Sequence, residues 1–371
     1  MKLGYISTYL PQQCGIATYT NYLVQGIREV DPKVGIKVVA EKLAERVKEV
    51  KFEVAPCWDR NKNYVHSIID NTKEVDIVHI QHEYGIYKFD ERLPELIARL
   101  DQKKLITIHC IRPSQFSDRG TVDENYAKRI AHLADKVIVH LPSQKAILIR
   151  LGIPNNKIHV IFHGTENNNV DKEFSRKKLG LPINGYILLM FGFVKPHKDI
   201  YTAIDAVNLI LKKVKNVSLF IAGGIAKTHP EHKKYVQLIR KKIKKLNIEN
   251  NIIFPNKFFP NEDVPYIFGA SDLILFPYYE EDRSVSGALH LAIGAKKPII
   301  ASRIPKFEEL KYICDELLVL PHNSSGIAKI GIRIFSDPNF REYVIARTEK
   351  YRKKTSWRAV ANQHLKLYAT L

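Results

Sequence analysis

The sequence predicts an α/β protein made of two doubly wound parallel-sheet halves, and three observations carry that prediction. Short, nearly all-apolar runs recur along the chain, each is followed by a longer stretch with helical spacing, and the alternation occurs twice, on either side of a polar connection. Runs that are apolar throughout, rather than at every second residue, suit strands buried on both faces of a parallel sheet. Strand–helix alternation at this spacing means right-handed βαβ units. At 371 residues the chain is too long for one ordinary domain and comfortable for two.

In order, the first half places strands at Lys2–Ile6, Ile36–Val39, Ile77–Ile80, Leu105–Ile108, Lys136–Val139 and Ile158–Ile161. The second places them at Ile187–Phe191, Ser218–Ala222, Ile252–Phe254, Leu273–Phe276, Pro298–Ala301 and Leu317–Leu320. Between the halves, His163 to Tyr186 holds Asn167–Asn169, a charged helix-like stretch and then Gly180, Pro182 and Gly185, and reads as the connection. Pro230 to Asn247 is helical by spacing: Tyr235, Val236, Ile239, Ile243 and Leu246 form one stripe, with Lys and Arg over the rest. That basic face reads as solvated surface, since no aromatics interleave with its lysines.

Composition narrows the function classes. Hydrophobic residues make up 45%, which excludes a disordered or collagen-like chain. Cys14, Cys57, Cys110 and Cys314 are scattered with no CxxC pair, which speaks against a zinc site and for a reducing compartment. The longest apolar stretch, Tyr186 to Val194, is about half of a membrane span, and the start of the chain runs straight into a strand. A cytoplasmic protein is expected. The formal charge of +19 leaves nucleic acid, an anionic membrane surface and a phosphorylated substrate open as partners. Lys and Arg counted against Asp and Glu leave +5 in residues 1–165 and +14 in 166–371.

In open parallel sheets ligands bind beyond the carboxyl ends of the strands, so chemistry is sought in the strand-to-helix loops. After the first strand, Gly15 stands where a helix begins, allowing backbone N–H groups close to a phosphate or sugar oxygen. His109 follows Leu105–Ile108 at a strand end. His79, His82 and Glu83 form HxxHE, but on an extended chain residues 79 and 82 point to opposite faces, so no metal site is expected. A polar contact from Glu83 or from the Gln81–Tyr87 loop fits better. In the second half Gly192 permits close backbone approach, while Lys195 and Lys198 bring positive charge to an anion. Ser284, Ser286 and Gly287 at a helix start suit an anion, and Glu280, Glu281 and Asp282 before them suit sugar hydroxyls.

Together these residues resemble retaining glycosyltransferase family 4, over essentially the whole chain. Thr107-Ile108-His109 matches the family's strand-end histidine, and Gly192 to Lys198 falls on its G-R-L-x-x-x-K motif. Leu291 to Ala301 falls on E-A-M-A-x-G-x-P-V-I-A, and Glu309 lies where the family has the glutamate of G-G-x-x-E. Ser356-Trp357 resembles the start of its final helix. Departures accompany the match. Phe193 replaces the motif's arginine, Arg283 and Leu291 stand where the family pairs two glutamates, and Pro305-Lys306 replaces the glycine pair before Glu309.

The resemblance implies the GT-B fold, two Rossmann-like doubly wound domains facing across a cleft. Residues 1–165 would form the acceptor-side domain, rejoined by a helix at 356–371, and 166–355 the donor domain. It implies transfer of a hexose from a nucleotide diphosphate sugar, such as GDP-mannose or UDP-glucose, to a sugar, glycolipid or polyol hydroxyl with retention. Neither a cofactor nor a metal is expected. His109, Lys198 and Glu281 would be the catalytic set, His109 and Glu281 orienting donor hydroxyls and Lys198 meeting the diphosphate. Gly15, Gly192, Arg283, Ser284, Ser286, Gly287 and Glu309 would line the donor site, with Arg283 replacing the cation lost at Phe193. Glu83 and Tyr84 would face the acceptor. The missing paired glutamates keep two alternatives open, a non-catalytic nucleotide-sugar-binding protein and a GT-B epimerase. Nucleic acid is not an expected partner, while contact with the inner face of a membrane stays open.

Overall fold

The computed structural model describes the whole chain except residues 118, 226–231 and 280–282, together with the side chains of 116 and 283. It divides into two compact units. The first takes Met1–Gly164, Thr355–Leu371 and a short strand at Arg283–Ser284, and the second takes the remaining residues from Thr165 to Lys354.

In the first unit the strands are β1 (Lys2–Ser7), β2 (Gly35–Glu41), β3 (Val47–Glu49), β4 (Phe52–Trp58), β5 (Ile77–His82), β6 (Lys103–Ile108), β7 (Cys110–Ile111), β8 (Lys136–Val139) and β9 (Ile158–Val160). Between them run α1 (Gly15–Val30), α2 (Val65–Thr72), α3 (Arg92–Arg99), α4 (Val122–Leu133) and α5 (Pro142–Arg150). The main sheet has the order β3-β4-β2-β1-β5-β6-β8-β9 and is parallel except where β3 meets β4. From β4 inward this is the doubly wound order, reversing direction at β1.

The second unit adds α6 (Lys172–Leu179), β10 (Tyr186–Phe191), α7 (Ile200–Leu211), β11 (Val217–Ala222), α8 (Lys233–Lys245), β12 (Ile252–Ile253), α9 (Val264–Gly269) and β13 (Leu273–Phe276). After β14 (Arg283–Ser284), which belongs to the first unit, come α10 (Gly287–Gly294), β15 (Ile299–Ser302), β16 (Leu318–Val319), α11 (Ser324–Ser336) and α12 (Pro338–Lys354). Its sheet is wholly parallel, in the order β12-β11-β10-β13-β15-β16. All twelve expected strands are present, with ends shifted by a residue or two. Phe52–Trp58 was not anticipated, because Pro56 and Cys57 break the β-branched pattern.

The last helix, α13 (Trp357–Tyr368), packs on α1 in the first unit. Ser356 caps it, its hydroxyl accepting from Ala359 N–H at 3.3 Å. Trp357 stacks on Tyr22, ring centroids 5.4 Å apart. Two glycines make room for it: a Cβ at Gly164 would fall within the indole, and one at Gly26 would meet the Trp357 carbonyl at 2.9 Å. No described helix is long and apolar enough to cross a membrane.

Candidate functional site

In the second unit three loops meet at the carboxyl ends of neighbouring strands β10, β11 and β12. Gly192 leaves β10 with φ of 96°, which L side chains rarely adopt. Its N–H donates to Ala222 O at 3.0 Å, and Val194 N–H donates to Gly224 O at 2.9 Å. A Cβ at Gly223 would enter the Gly192 carbonyl, and one at Gly224 would lie 3.0–3.1 Å from the Asn256–Lys257 backbone. The loops therefore touch backbone to backbone. Gly223 and Gly224 were not singled out in the sequence, although a glycine pair directly after a strand is the signal that could have done so.

Lys198 folds back over this surface. Its Nζ donates to Phe191 O at 2.9 Å and lies 2.7 Å from where a Gly192 Cβ would be. It also sits 5.3 Å from the Tyr278 ring centroid. The result is an ammonium held beside bare backbone at a strand end. The helix that follows has its own anion: Asp199, at φ 48°, accepts from Thr202 N–H at 3.3 Å and Thr202 Oγ1 at 2.7 Å. His322 Nδ1 lies 2.5 Å from its Oδ2. A further anion at this place accordingly meets Lys198 and Gly192 rather than the first turn of α7.

At α10, Ser286 is the N-cap, its hydroxyl accepting from Leu289 N–H at 3.2 Å, and a Cβ at Gly287 would meet nothing. The helix start is capped yet open. Glu309 behaves differently from a ligand residue. It is 0% exposed, its Oε2 3.0 Å from His290 Nε2 and its Oε1 accepting from Tyr351 OH at 2.7 Å. Thr165 Oγ1 lies 2.8 Å from His290 Nδ1. Burial first, and the Glu309 carboxylate second, hold the Tyr351 phenol well above its ordinary value. This carboxylate ties α10 and α12 together, and none of it faces solvent.

In the first unit Cys14 precedes α1 without a side-chain cap, and a Cβ at Gly15 would meet nothing. Gly15 thus answers neither a packing need nor a positive φ; it leaves space before uncapped amides. His109 is 5% exposed and every polar atom it has is engaged within the unit. Its Nε2 lies 2.9 Å from Gln81 Oε1 and its Nδ1 3.0 Å from His140 Nε2. Its N–H donates to His82 O at 3.1 Å, and its carbonyl accepts from Gln144 Nε2 at 3.0 Å. Burial, then His140 and His163, keep the imidazole well below its ordinary pKa, hence neutral. The expectation that it orients a sugar hydroxyl requires exchange of one of these bonds. His140 and Gln144 were missed because they come from the end of β8 and from α5, while Gln81 was named only as part of the Gln81–Tyr87 loop.

Glu83 turns back on its own loop, Oε2 accepting from Gly85 N–H at 2.5 Å. Tyr84 donates to Asp123 O at 3.1 Å, with burial raising its pKa well above the ordinary value. Arg283 and Ser284 pair antiparallel with Ile111 and Cys110, directly after His109. Glu281 lies outside the described residues, as does the side chain of Arg283.

A model of the glycosyl transferases group 1 family matches residues 171–351, and one of glycosyltransferase family 4 matches 15–168. The chain belongs to this family. A glycosyltransferase of Methanocaldococcus jannaschii, itself uncharacterized, is 25% identical over 225 residues, 58% of this chain and 54% of that protein. The D-inositol 3-phosphate glycosyltransferase of Corynebacterium efficiens is 24% identical over 278 residues, 71% of this chain and 64% of that one. The chain thus spans less than two thirds of these curated relatives. Among solved structures, Anabaena Alr3699/HepE in complex with UDP superposes with a TM-score of 0.76 at 15% identity, over 100% of both chains. Sucrose-phosphate synthase from Thermosynechococcus elongatus gives 0.77 at 18%, covering 100% of this chain and 98% of that one. These likenesses show the GT-B fold.

Within family 4 the departures now have surroundings. Phe193, where the family has arginine, is exposed and stacks on Phe258, centroids 6.2 Å apart. Leu291, in place of a family glutamate, packs against the core of the second unit. His290 beside it is the polar residue of that turn, and it faces Glu309.

Proposed function

We propose that this family 4 member moves a hexose from a nucleoside diphosphate sugar to a hydroxyl of a sugar, glycolipid or polyol, with retention. The observation that carries the reading is Lys198 held over Gly192, an ammonium beside open backbone at the end of β10. A departing diphosphate needs preorganised positive charge, and such preorganisation usually accelerates a reaction more than any other single effect. Lys198, the Gly192 backbone and the open start of α10 at Ser286–Gly287 supply it in the second unit. The leaving phosphate oxygen would take the acceptor proton as the new glycosidic bond forms on the same face. Relatives support the donor class: Alr3699/HepE is solved with UDP and with UDP-glucose.

In this reading Glu309 supports α10 rather than touching the donor. His109 is a positioning residue that fixes the strand end leading into Cys110–Ile111. Glu281 would orient donor hydroxyls, and Ser286 and Gly287 would flank the donor site. Glu83 and Tyr84 would border the acceptor.

The test offers UDP- and GDP-sugars with free sugars, lipid-linked sugars and polyols, read by mass spectrometry. Sugar transfer lost in Lys198→Ala but retained in a variant of the exposed Lys213, Lys213→Ala, supports the reading. Donor binding with no transfer to any acceptor would establish the binding-protein alternative. Isomerised donor without acceptor would establish the epimerase.

A further inference from the structure

We infer that the outward face of α8 docks on an anionic phospholipid surface. Seven of its thirteen residues are Lys or Arg, and none is Asp or Glu. Val236, Ile239 and Ile243 are buried in the core of the second unit, which sets the opposite face outward. At the middle of that face stands Leu238, 49% exposed. Its neighbours four back and three, four and seven ahead are Lys234, Lys241, Lys242 and Lys245, which on a helix surround it. Lys242 is tied to Asp205 at 2.7 Å, whereas Lys234, Lys241 and Lys245 make no ion pair among the described residues.

Beside the helix, toward edge strand β12, a groove of about 290 Å³ is lined by Arg240, Ile243, Lys244, Glu249, Ile252 and Phe254. An apolar side chain ringed by ammonium groups fits the boundary between charged headgroups and acyl chains. It fits nucleic acid poorly, because Leu238 would face phosphate, and the helix's tyrosine is turned inward, Tyr235 lying 5.6 Å from Tyr201. The charge balance agrees, since +14 of the net +19 lies in residues 166–371.

The experiment sediments the full chain with phosphatidylcholine vesicles, with and without phosphatidylglycerol, at rising salt. Binding is expected only to the anionic vesicles and should weaken as salt rises. Lys241→Gln/Lys245→Gln should lower partitioning by about tenfold or more. Leu238→Gln, which leaves the charge unchanged, should lower it several-fold, and Lys33→Gln/Lys48→Gln on the first unit should not. No sedimentation, equal loss in both lysine pairs, or an unaffected Leu238→Gln overturns the docking face. So does retention of an oligonucleotide through Lys241 and Lys245 when vesicles are not retained.

Discussion

Lys198 Nζ stands 2.7 Å from the point that a Cβ on Gly192 would occupy, so the lysine's pose exists because residue 192 has no side chain. Gly192→Ala therefore acts twice. It forces φ of 96° on an L residue and pushes the ammonium off its place above the strand end. Removal of a single group that stabilises developing charge typically costs about 100- to 1000-fold in rate. Both Gly192→Ala and Lys198→Ala should fall by that order in sugar transfer. Only Gly192→Ala should also lose stability, by about 1–3 kcal/mol, in urea unfolding. Transfer undiminished in Lys198→Ala removes it from the reaction.

Glu309 is expected to matter for stability. Its removal leaves His290 and the Tyr351 hydroxyl without their buried partner, at a cost of about 1–3 kcal/mol. Denaturant midpoints of Glu309→Ala should drop accordingly, while isothermal titration with a nucleoside diphosphate should show unchanged affinity for the folded fraction. Weakened nucleotide binding at normal stability would place Glu309 at the ligand instead.

Gly164 and Trp357 should be energetically coupled. A methyl at 164 falls within the indole, so Gly164→Ala overpacks by about 1–3 kcal/mol. Trp357→Ala removes the obstacle along with the stack on Tyr22. The double variant should be less destabilised than the sum of the singles, read as an interaction energy from unfolding curves. Strict additivity would contradict this packing.

Acid should destabilise the first unit through its buried imidazoles. Burial lowers the pKa of His82 to about 3 and that of His364 to about 4, and holds His79 and His109 well below the ordinary value. Unfolded chains take up these protons near pH 6.5 and the folded unit does not, so protons favour the unfolded state. Stability is complete above pH 6.5 and falls below it, by about 1.4 kcal/mol per pH unit for each imidazole still neutral in the fold. Urea unfolding followed between pH 7.5 and 5 should show that slope. A midpoint independent of pH would mean these histidines accept protons when folded.

Local features were legible in sequence and partnerships were not. The spacing from Gly192 to Lys198 exposed a strand-end cradle because glycine and lysine belong to one loop. His109 stood out because it follows an apolar run, yet its two ring partners come from β5 and from the end of β8. Glu309 matched a family position in sequence, but Tyr351 and His290 absorb it inside the unit. Arg283–Ser284 reads as the approach to a helix, while in space it is a strand against Cys110–Ile111. The strand at Phe52–Trp58 escaped because its pattern is broken by Pro56, and pairing with β2 supplies the order that local preference lacks.

By itself the sequence determined that two doubly wound sheets form. Continuous apolar runs can be buried only between helical layers, and right-handed crossovers leave few ways to arrange them. It also determined where bare backbone and a cation share a loop. Which polar groups remain for a ligand was decided by tertiary structure alone. A buried donor or acceptor must find a partner, and the partners of His109 and Glu309 lie many residues away in sequence and become neighbours only when the sheets and helices pack.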